Sequence, residues 1–429
     1  MEIPLILLFL SFIIFLILGM PIAWVLLSSS LIYLFLKGTL PAVLPQRVVV
    51  MLDSFVLIAV PFFIYMALIM NTGKITDKIF NFARIIIGRV KGGLGYVNII
   101  ASVIFAGMSG SMLADIMGLG EIEIRAMLNA GYDRKFSAAV TAASATIGPI
   151  IPPSVPLIIY GYLAGASISR LLVGGVIPGL TIAAYQMVIV YIISKRRNYP
   201  IEESKFEWKK LLIGFKNAFP ALLTPIIVLG GIIIGFVTPT EAAVIASVYA
   251  TLIAIFVYRS INCANEVFLC FKETTVTASR ILLICAFAAA FGWIFTWERV
   301  PHRILEFIIY LNISKVQFLL LFNLIVLFLG CFISATAIII MLTPLVTPLF
   351  LSMGIDPVHF GVMFVLASMI GLLTPPFGIG LFAISSISKV DIYELSIELI
   401  PFVIVTILAL ITITLFPNIV LFLPNLLFD

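Results

Sequence analysis

The chain has 429 residues, of which 62% are hydrophobic and 10% charged, with a formal charge of +5 and a mean hydropathy of +1.25. That composition excludes a soluble globular protein and specifies a polytopic membrane protein. Four cysteines with no CxxC pair, and two histidines (His302 and His359), leave a disulfide scaffold, structural zinc and haem without ligands.

A spanning helix needs about 20 largely apolar residues. Stretches of that kind fall near 3–36, 54–70, 94–114, 136–167, 171–193, 217–236, 240–258, 281–297, 317–350, 358–387 and 397–423, which predicts about a dozen hydrophobic elements and an all-α fold. Residues 1–53 read as N-terminal scaffold helices. The first apolar run has no basic segment before it and leads past Gly19, Met20 and Pro21 into another, so it is expected to stay in the membrane.

Residues 54–193 form a first repeat. Within it the basic segments 74–91 (Lys74, Lys78, Arg84, Arg89, Lys91) and 125–135 (Arg125, Arg134, Lys135) flank one apolar stretch. If both flanks are cytoplasmic, as basic loops tend to be, residues 95–130 enter the membrane and return as a re-entrant hairpin with its tip near Ser109-Gly110-Ser111. A broken helix over 136–167 follows. Residues 194–280 are expected to hold scaffold helices and two cytoplasmic amphipathic arms. One is 195–216, where Lys195, Arg196, Arg197, Lys205, Lys209, Lys210 and Lys216 face Glu202, Glu203 and Glu207 beside Trp208; the other is 259–280, with Arg259, Lys272, Glu273 and Arg280. The net positive charge is thus topological in origin. Thr238-Pro239-Thr240-Glu241 reads as a helix start, and Trp293 and Trp297 as interfacial anchors.

Residues 281–429 form a second repeat. Gly107, Ser111, Gly131, Asp133, Gly148, Pro152 and Pro153 recur 223 positions later, without a gap, as Gly330, Ser334, Gly354, Asp356, Gly371, Pro375 and Pro376. A looser offset of 225 relates Ile69, Ile75, Ile79 and Phe82 to Ile294, Val300, Ile304 and Phe307. The second hairpin is expected at 316–353 and the second broken helix at 358–387. Its end, Ser352-Met353-Gly354-Ile355-Asp356, carries no Lys or Arg where the first copy has Arg125, Arg134 and Lys135. Reversed charge bias is the signature of an inverted-topology repeat.

Each proline pair interrupts an apolar helix, because proline lacks a backbone N–H and clashes with the preceding turn. Unwound backbone at membrane depth is tolerated where it lines a site. Freed carbonyls and hydroxyls suit Na⁺, and the N-terminus of the following half-helix suits a carboxylate. The hairpin tips supply the facing half: Ser109, Gly110 and Ser111 in one copy, Gly330 and Ser334 in the other. Asp115, one turn past Ser111, is an ionisable residue in an apolar hairpin and marks a candidate site. No GxxxxGK[ST] loop serves ATP, and no HExxH or GxSxG serves hydrolysis. An ion-driven transporter fits better than an enzyme.

The strings Gly107-Met108-Ser109-Gly110-Ser111-Met112-Leu113-Ala114-Asp115, Gly131-Tyr132-Asp133, Ala139 through Ser154, Gly354 through Gly361 and Gly371-Leu372-Leu373-Thr374-Pro375-Pro376-Phe377-Gly378 resemble the large membrane subunit of TRAP (tripartite ATP-independent periplasmic) transporters, the DctM/SiaM family. The resemblance covers nearly the whole chain. It implies an elevator-type importer of the ion-transporter superfamily in a bacterial inner membrane, driven by Na⁺ as coupling ion and carrying an organic acid anion of the sialic acid or C4-dicarboxylate class. It also implies two partners besides the lipid bilayer, with no nucleic acid among them: a small four-helix membrane subunit of the DctQ/SiaQ type and a periplasmic substrate-binding protein of the DctP/SiaP type.

Carried over residue by residue, one Na⁺ site would involve Ser109, Gly148, Ile151 and Pro153, and a second Gly330, Thr374 and Pro376. Ser109, Ser111, Asp115, Ser154 and Ser167 would face the substrate. Ser334 stands where an Asp is usual, Ala367-Ser368 where Asn-Leu is usual, and Arg125 where a proline is familiar. A stand-alone Na⁺/dicarboxylate symporter of the same superfamily is the alternative.

Overall fold

Every regular element among the described residues is helical, as continuous apolar runs in lipid require, since helices satisfy their backbone polar groups internally. The computed structural model describes residues 3–38, 42–73, 75–87, 90, 92–200, 207–261 and 264–428. The charged residues Lys74, Arg89, Lys91, Glu202, Glu203 and Lys205, with Cys263, lie outside them.

In chain order the helices are α1 (Ile3–Ile17), α2 (Ile22–Lys37), α3 (Val43–Leu52), α4 (Ala59–Thr72), α5 (Ile75–Ile87), α6 (Gly93–Ser109), α7 (Met112–Asn129), α8 (Arg134–Ser144), α9 (Val155–Ala164), α10 (Ile168–Gly174), α11 (Val176–Arg197), α12 (Trp208–Ile233), α13 (Pro239–Leu252), α14 (Ala264–Trp297), α15 (Val300–Tyr310), α16 (Lys315–Gly330), α17 (Ala335–Ser352), α18 (Pro357–Gly371), α19 (Ile379–Ser388), α20 (Ile392–Leu415) and α21 (Asn418–Phe428). Among them, seven segments are long and apolar enough to cross a bilayer, accompanied by nine shorter apolar helices. Several of the shorter ones are arms of hairpins or halves of broken helices: α6–α7 and α16–α17 fall on the two expected hairpins, and α8–α9 and α18–α19 on the two expected breaks.

The repeat is built from the same local devices twice. Ser111 caps α7 by accepting from the Ala114 amide at 3.5 Å, and Ser334 caps α17 by accepting from the Ala337 amide at 3.4 Å. Each hairpin ends at a glycine in the left-handed region, Gly131 (φ 86°) and Gly354 (φ 66°). There the next residue's amide reaches back five positions, Tyr132 to the Met127 carbonyl (3.0 Å) and Ile355 to that of Phe350 (2.9 Å), as helix C-caps commonly do. Both proline pairs, Pro152–Pro153 and Pro375–Pro376, are joined by cis peptide bonds.

Packing extends the repeat beyond what the sequence offsets reach. Helix α2 lies against α14 while α13 lies against α4, and α7 lies against α19 while α17 lies against α9. Helices α2 and α13 thus take the same kind of place beside α14 and α4, and α7 and α17 beside α19 and α9.

The two expected surface arms are not separate helices. The stretch 195–216 is divided between the last turn of α11, which stops at Asn198 in the left-handed region (φ 54°), and the first turns of α12. The stretch 259–280 runs without a break into the apolar segment after it. No glycine or proline falls in α14 before Gly292, so one helix of 34 residues forms, about 51 Å long against a hydrocarbon core of about 30 Å. The boundary expected at 280/281 thus falls inside a helix. Thr238 and Glu241 form a reciprocal capping box at the start of α13, and the Trp293 and Trp297 rings lie 5.3 Å apart near the end of α14.

Candidate functional site

The two hairpin tips meet the two helix breaks through glycines. Gly110 sits in the left-handed region (φ 58°), and a Cβ there would strike the Pro153 carbonyl, so the first tip rests directly on unwound backbone. In the second copy Gly330 and Gly371 touch: a Cβ on Gly330 would come within 2.6 Å of the Gly371 Cα. At Gly148, the counterpart of Gly371, the neighbour is instead the Asp115 carboxyl, which a Cβ would overlap.

Around the first break the oxygens are buried and partly unpaired. Ser109 and Asp115 are each 2% exposed, and neither the Ser109 hydroxyl nor either Asp115 oxygen has a hydrogen bond of proper geometry. Buried polar atoms left in that state are uncommon and call for a ligand or an ion. The polar atoms brought together here are oxygens, of the kind a hard monovalent cation prefers: the Ser109 hydroxyl, the Pro153 carbonyl against Gly110 and the Asp115 carboxyl against Gly148. Ser154 is spent on structure. Its hydroxyl donates to the Pro149 carbonyl and accepts from the Leu157 amide at 3.2 Å, capping α9.

The second break is arranged differently. The Thr374 hydroxyl donates to the Gly371 carbonyl at 2.7 Å and lies 3.0 Å from the Cys331 sulfur, so it is already partnered. Pro375, Pro376 and Phe377 are exposed, whereas every residue of 145–154 is buried.

A cavity of about 700 Å³ lies between the tips. Its walls carry Ser109, Gly110 and Ser111 from the first tip, Ser334 to Thr336 from the second, Pro149 and Pro156 from the first break, and Met369, Leu372 and Ile379 from the second. Of the expected substrate residues the structure brings Ser109 and Ser111 to this cavity. Asp115 lies behind the tip against Gly148, and Ser154 is buried within the α9 cap. Ser167 is exposed at the start of α10, where it accepts from the Arg170 amide at 3.4 Å.

Three charged residues on the wall were read from sequence as part of a surface arm: Lys272, Glu273 and Arg280, all on α14. Their charge density hid the continuity of that helix. The interruption of the apolar run beginning at residue 281 by a helical face of Lys272, Val276 and Arg280, four residues apart, was the available signal. Asn71 was also missed. It ends α4, donates to the Ala114 carbonyl at 3.4 Å and packs against Gly118, tying hairpin 1 to its neighbour.

At one end of the molecule charged groups join α8 and α11 to α19 and α20. Arg134 donates to the Ser388 carbonyl at 3.0 Å, Lys135 pairs with Glu394 at 2.9 Å, and Arg197 pairs with Glu398 at 2.8 Å. Tyr199 donates to Asp133 at 2.7 Å, and burial together with that carboxylate pushes its phenol up from the ordinary value.

The sequence matches the family described as "Tripartite ATP-independent periplasmic transporter, DctM component" over residues 9–419. It is 40% identical over 412 residues to the sialic acid TRAP transporter large permease protein SiaM of Vibrio cholerae, covering 95% of each chain. It is also 40% identical over 410 residues to the sialic acid TRAP transporter permease protein SiaT of Haemophilus influenzae, covering 95% of this chain and 66% of that one. This chain thus spans about two thirds of SiaT. Among solved structures, the YdaH transporter of Alcanivorax borkumensis superposes with a TM-score of 0.65 at 15% identity over 86% of each chain, a likeness of fold.

Proposed function

The chain belongs to the DctM component family of TRAP transporters, as a multi-pass permease of the bacterial inner membrane and not an enzyme, and we propose that it moves an organic acid anion through the cavity between its hairpin tips, coupled to Na⁺. The observation that carries this reading is the cavity itself. Serine hydroxyls from both hairpin tips and the charged residues Lys272, Glu273 and Arg280, cationic on balance, converge on one space of about 700 Å³, a volume suited to a small solute.

Physical chemistry supplies the roles. Lys272 and Arg280 raise the local concentration of a carboxylate, while Ser109, Ser111 and Ser334 offer hydrogen bonds. The start of α9 beneath the first tip adds the positive end of a helix dipole. Na⁺ at the first break, held by Ser109 and the backbone of Gly148, Ile151 and Pro153, would fasten the tip to the unwound segment. The second ion site, at Gly330, Thr374 and Pro376, would form when that exposed break closes.

In the elevator reading, hairpins and broken helices travel as one body against α1–α5 and α12–α15. Sialic acid and C4-dicarboxylates are the substrate classes to try. A separate small membrane subunit and a periplasmic binding protein would complete the system.

The test is uptake of labelled sialic acid and C4-dicarboxylates into proteoliposomes containing this chain and its small subunit, with and without binding protein and a Na⁺ gradient. Uptake that needs both supports the tripartite Na⁺-driven reading. Uptake without the binding protein supports the stand-alone symporter instead.

A further inference from the structure

Hairpin 1 contains a second buried acidic residue that the cavity does not use. Glu123 lies on α7 two turns past Asp115 and is 1% exposed. Thr141 of α8 faces its carboxyl. Behind Thr141 a chain of polar side chains crosses the interior: Asn98 of α6 donates to the Thr141 hydroxyl at 2.6 Å, Ser144 donates to the Asn98 side-chain carbonyl at 2.7 Å, and Ser102 donates to Ser144 at 2.9 Å. The chain runs up to Glu123 and stops, since Oε1 has no partner.

Among the described residues no salt bridge reaches it. The other buried carboxyl of this helix, Asp115, is of like sign. Of the elements packed on α7, α8 and α19 bring Thr141 and Ile387 onto Gly120, α4 brings Asn71 onto Gly118, and α5 brings Asp77 and Arg84 to a hollow beside Ile122 and Arg125 that Glu123 does not line. An ionised carboxylate in such a place, without a cationic partner, is strongly disfavoured in a protein interior and more so at membrane depth.

We propose that Glu123 is the ligand of a monovalent cation held inside hairpin 1, between α6, α7 and α8 and apart from the sites at the tips. A proton on Oε1 and a Na⁺ ion against it meet the same electrostatic need. Occupancy ties α7 to α8 through Thr141, so the hairpin and the first half of the broken helix stay one body. The inference stands on burial and unmatched charge rather than on the transport reading, and its test reads stability instead of uptake.

The unfolding temperature of the full chain in nanodiscs is measured across a NaCl titration, with choline chloride holding ionic strength constant, and again from pH 6 to pH 9. Ser109→Ala is the background throughout, so that the tip site does not contribute. With Na⁺ as ligand, the unfolding temperature rises with the logarithm of Na⁺ concentration, and adding Glu123→Gln abolishes the rise. With a proton as ligand, the unfolding temperature falls as pH rises, because the folded chain then loses the proton that stabilises it, and Glu123→Gln removes that fall. Identical Na⁺ and pH profiles with Glu and with Gln would overturn the proposal. If Glu123→Gln does not fold, Thr141→Val keeps the carboxyl and the packing volume. It should move the half-effect concentration of the ligand by about tenfold, as loss of one hydrogen bond to a charged group does, and an unmoved value would equally overturn it.

Discussion

The two copies of the hairpin and helix break share a backbone and differ in dress. Glycine, capping serine and proline pair stand at matching positions in both. Yet the first break is buried throughout 145–154 and backed by Ser109 and Asp115, buried groups that face each other and no third partner, whereas the second leaves Pro375, Pro376 and Phe377 exposed with Thr374 already bonded to Gly371. A repeated frame therefore fixes where a site can be, and the side chains set on it decide what each site can hold. The same holds at the hairpin ends. Asp356 caps α18, accepting from the Val358 amide at 2.7 Å, while its counterpart Asp133 leaves α8 uncapped and bonds to Tyr199 instead.

The largest effect should come from emptying the first tip. Ser109→Ala with Ser111→Ala is expected to abolish uptake while membrane insertion, followed by surface labelling, stays intact; retained uptake would remove this tip from the site. Gly330→Ala and Gly107→Ala sharpen the comparison, because the positions are equivalent and the surroundings are not. The new methyl meets unyielding Gly371 backbone at 2.6 Å in one case and the Pro225 side chain at 2.8 Å in the other. Uptake should fall by roughly tenfold or more at Gly330, in line with overpacking costs of about 1–3 kcal/mol, and by less at Gly107. Equal losses would show that the two contacts are equally rigid.

Arg280→Ala removes a cation from the cavity wall and should raise KM for an anionic substrate severalfold, with a weaker salt dependence of uptake than the unaltered chain. An unchanged KM would mean that α14 only encloses the cavity.

The hairpin ends should give the smallest effects. Asp356→Ala loses a helix cap and should cost about 1 kcal/mol. Tyr199→Phe loses one hydrogen bond, also about 1 kcal/mol, read as an unfolding-temperature shift. Because the Tyr199 phenol is raised in the folded chain, its contribution is complete below the unfolded value near 10 and is lost as pH rises past that toward the folded value. A difference between Tyr and Phe that grows in alkali would contradict this sign.

Much of this architecture was legible in the sequence because backbone devices leave fixed residues. Glycine is the residue most at ease in the left-handed region and proline pairs stop helices, so the helix ends at Gly131 and Gly354 and the interruptions at the two proline pairs were readable from the sequence. The crossed packing of α2 on α14 and α13 on α4 was not legible, since any apolar side chain satisfies lipid. The cavity wall was missed for another reason. Lys272 and Arg280 follow a charged stretch, and charge at a membrane boundary looks the same in a surface arm as in a helix that runs on inward. Hydropathy likewise could not say which side of α7 Asp115 takes, and it lies behind the tip rather than in the cavity.

The claim that the two copies are inverted is tested most directly by accessibility from either side of the membrane. In a chain with its native cysteines replaced, Arg134→Cys and Asp356→Cys are each challenged with a membrane-impermeant thiol reagent from outside and, in inverted vesicles, from the cytoplasmic side. The account predicts that Arg134→Cys is labelled only from the cytoplasm and Asp356→Cys only from outside; labelling of both from the same side would contradict it.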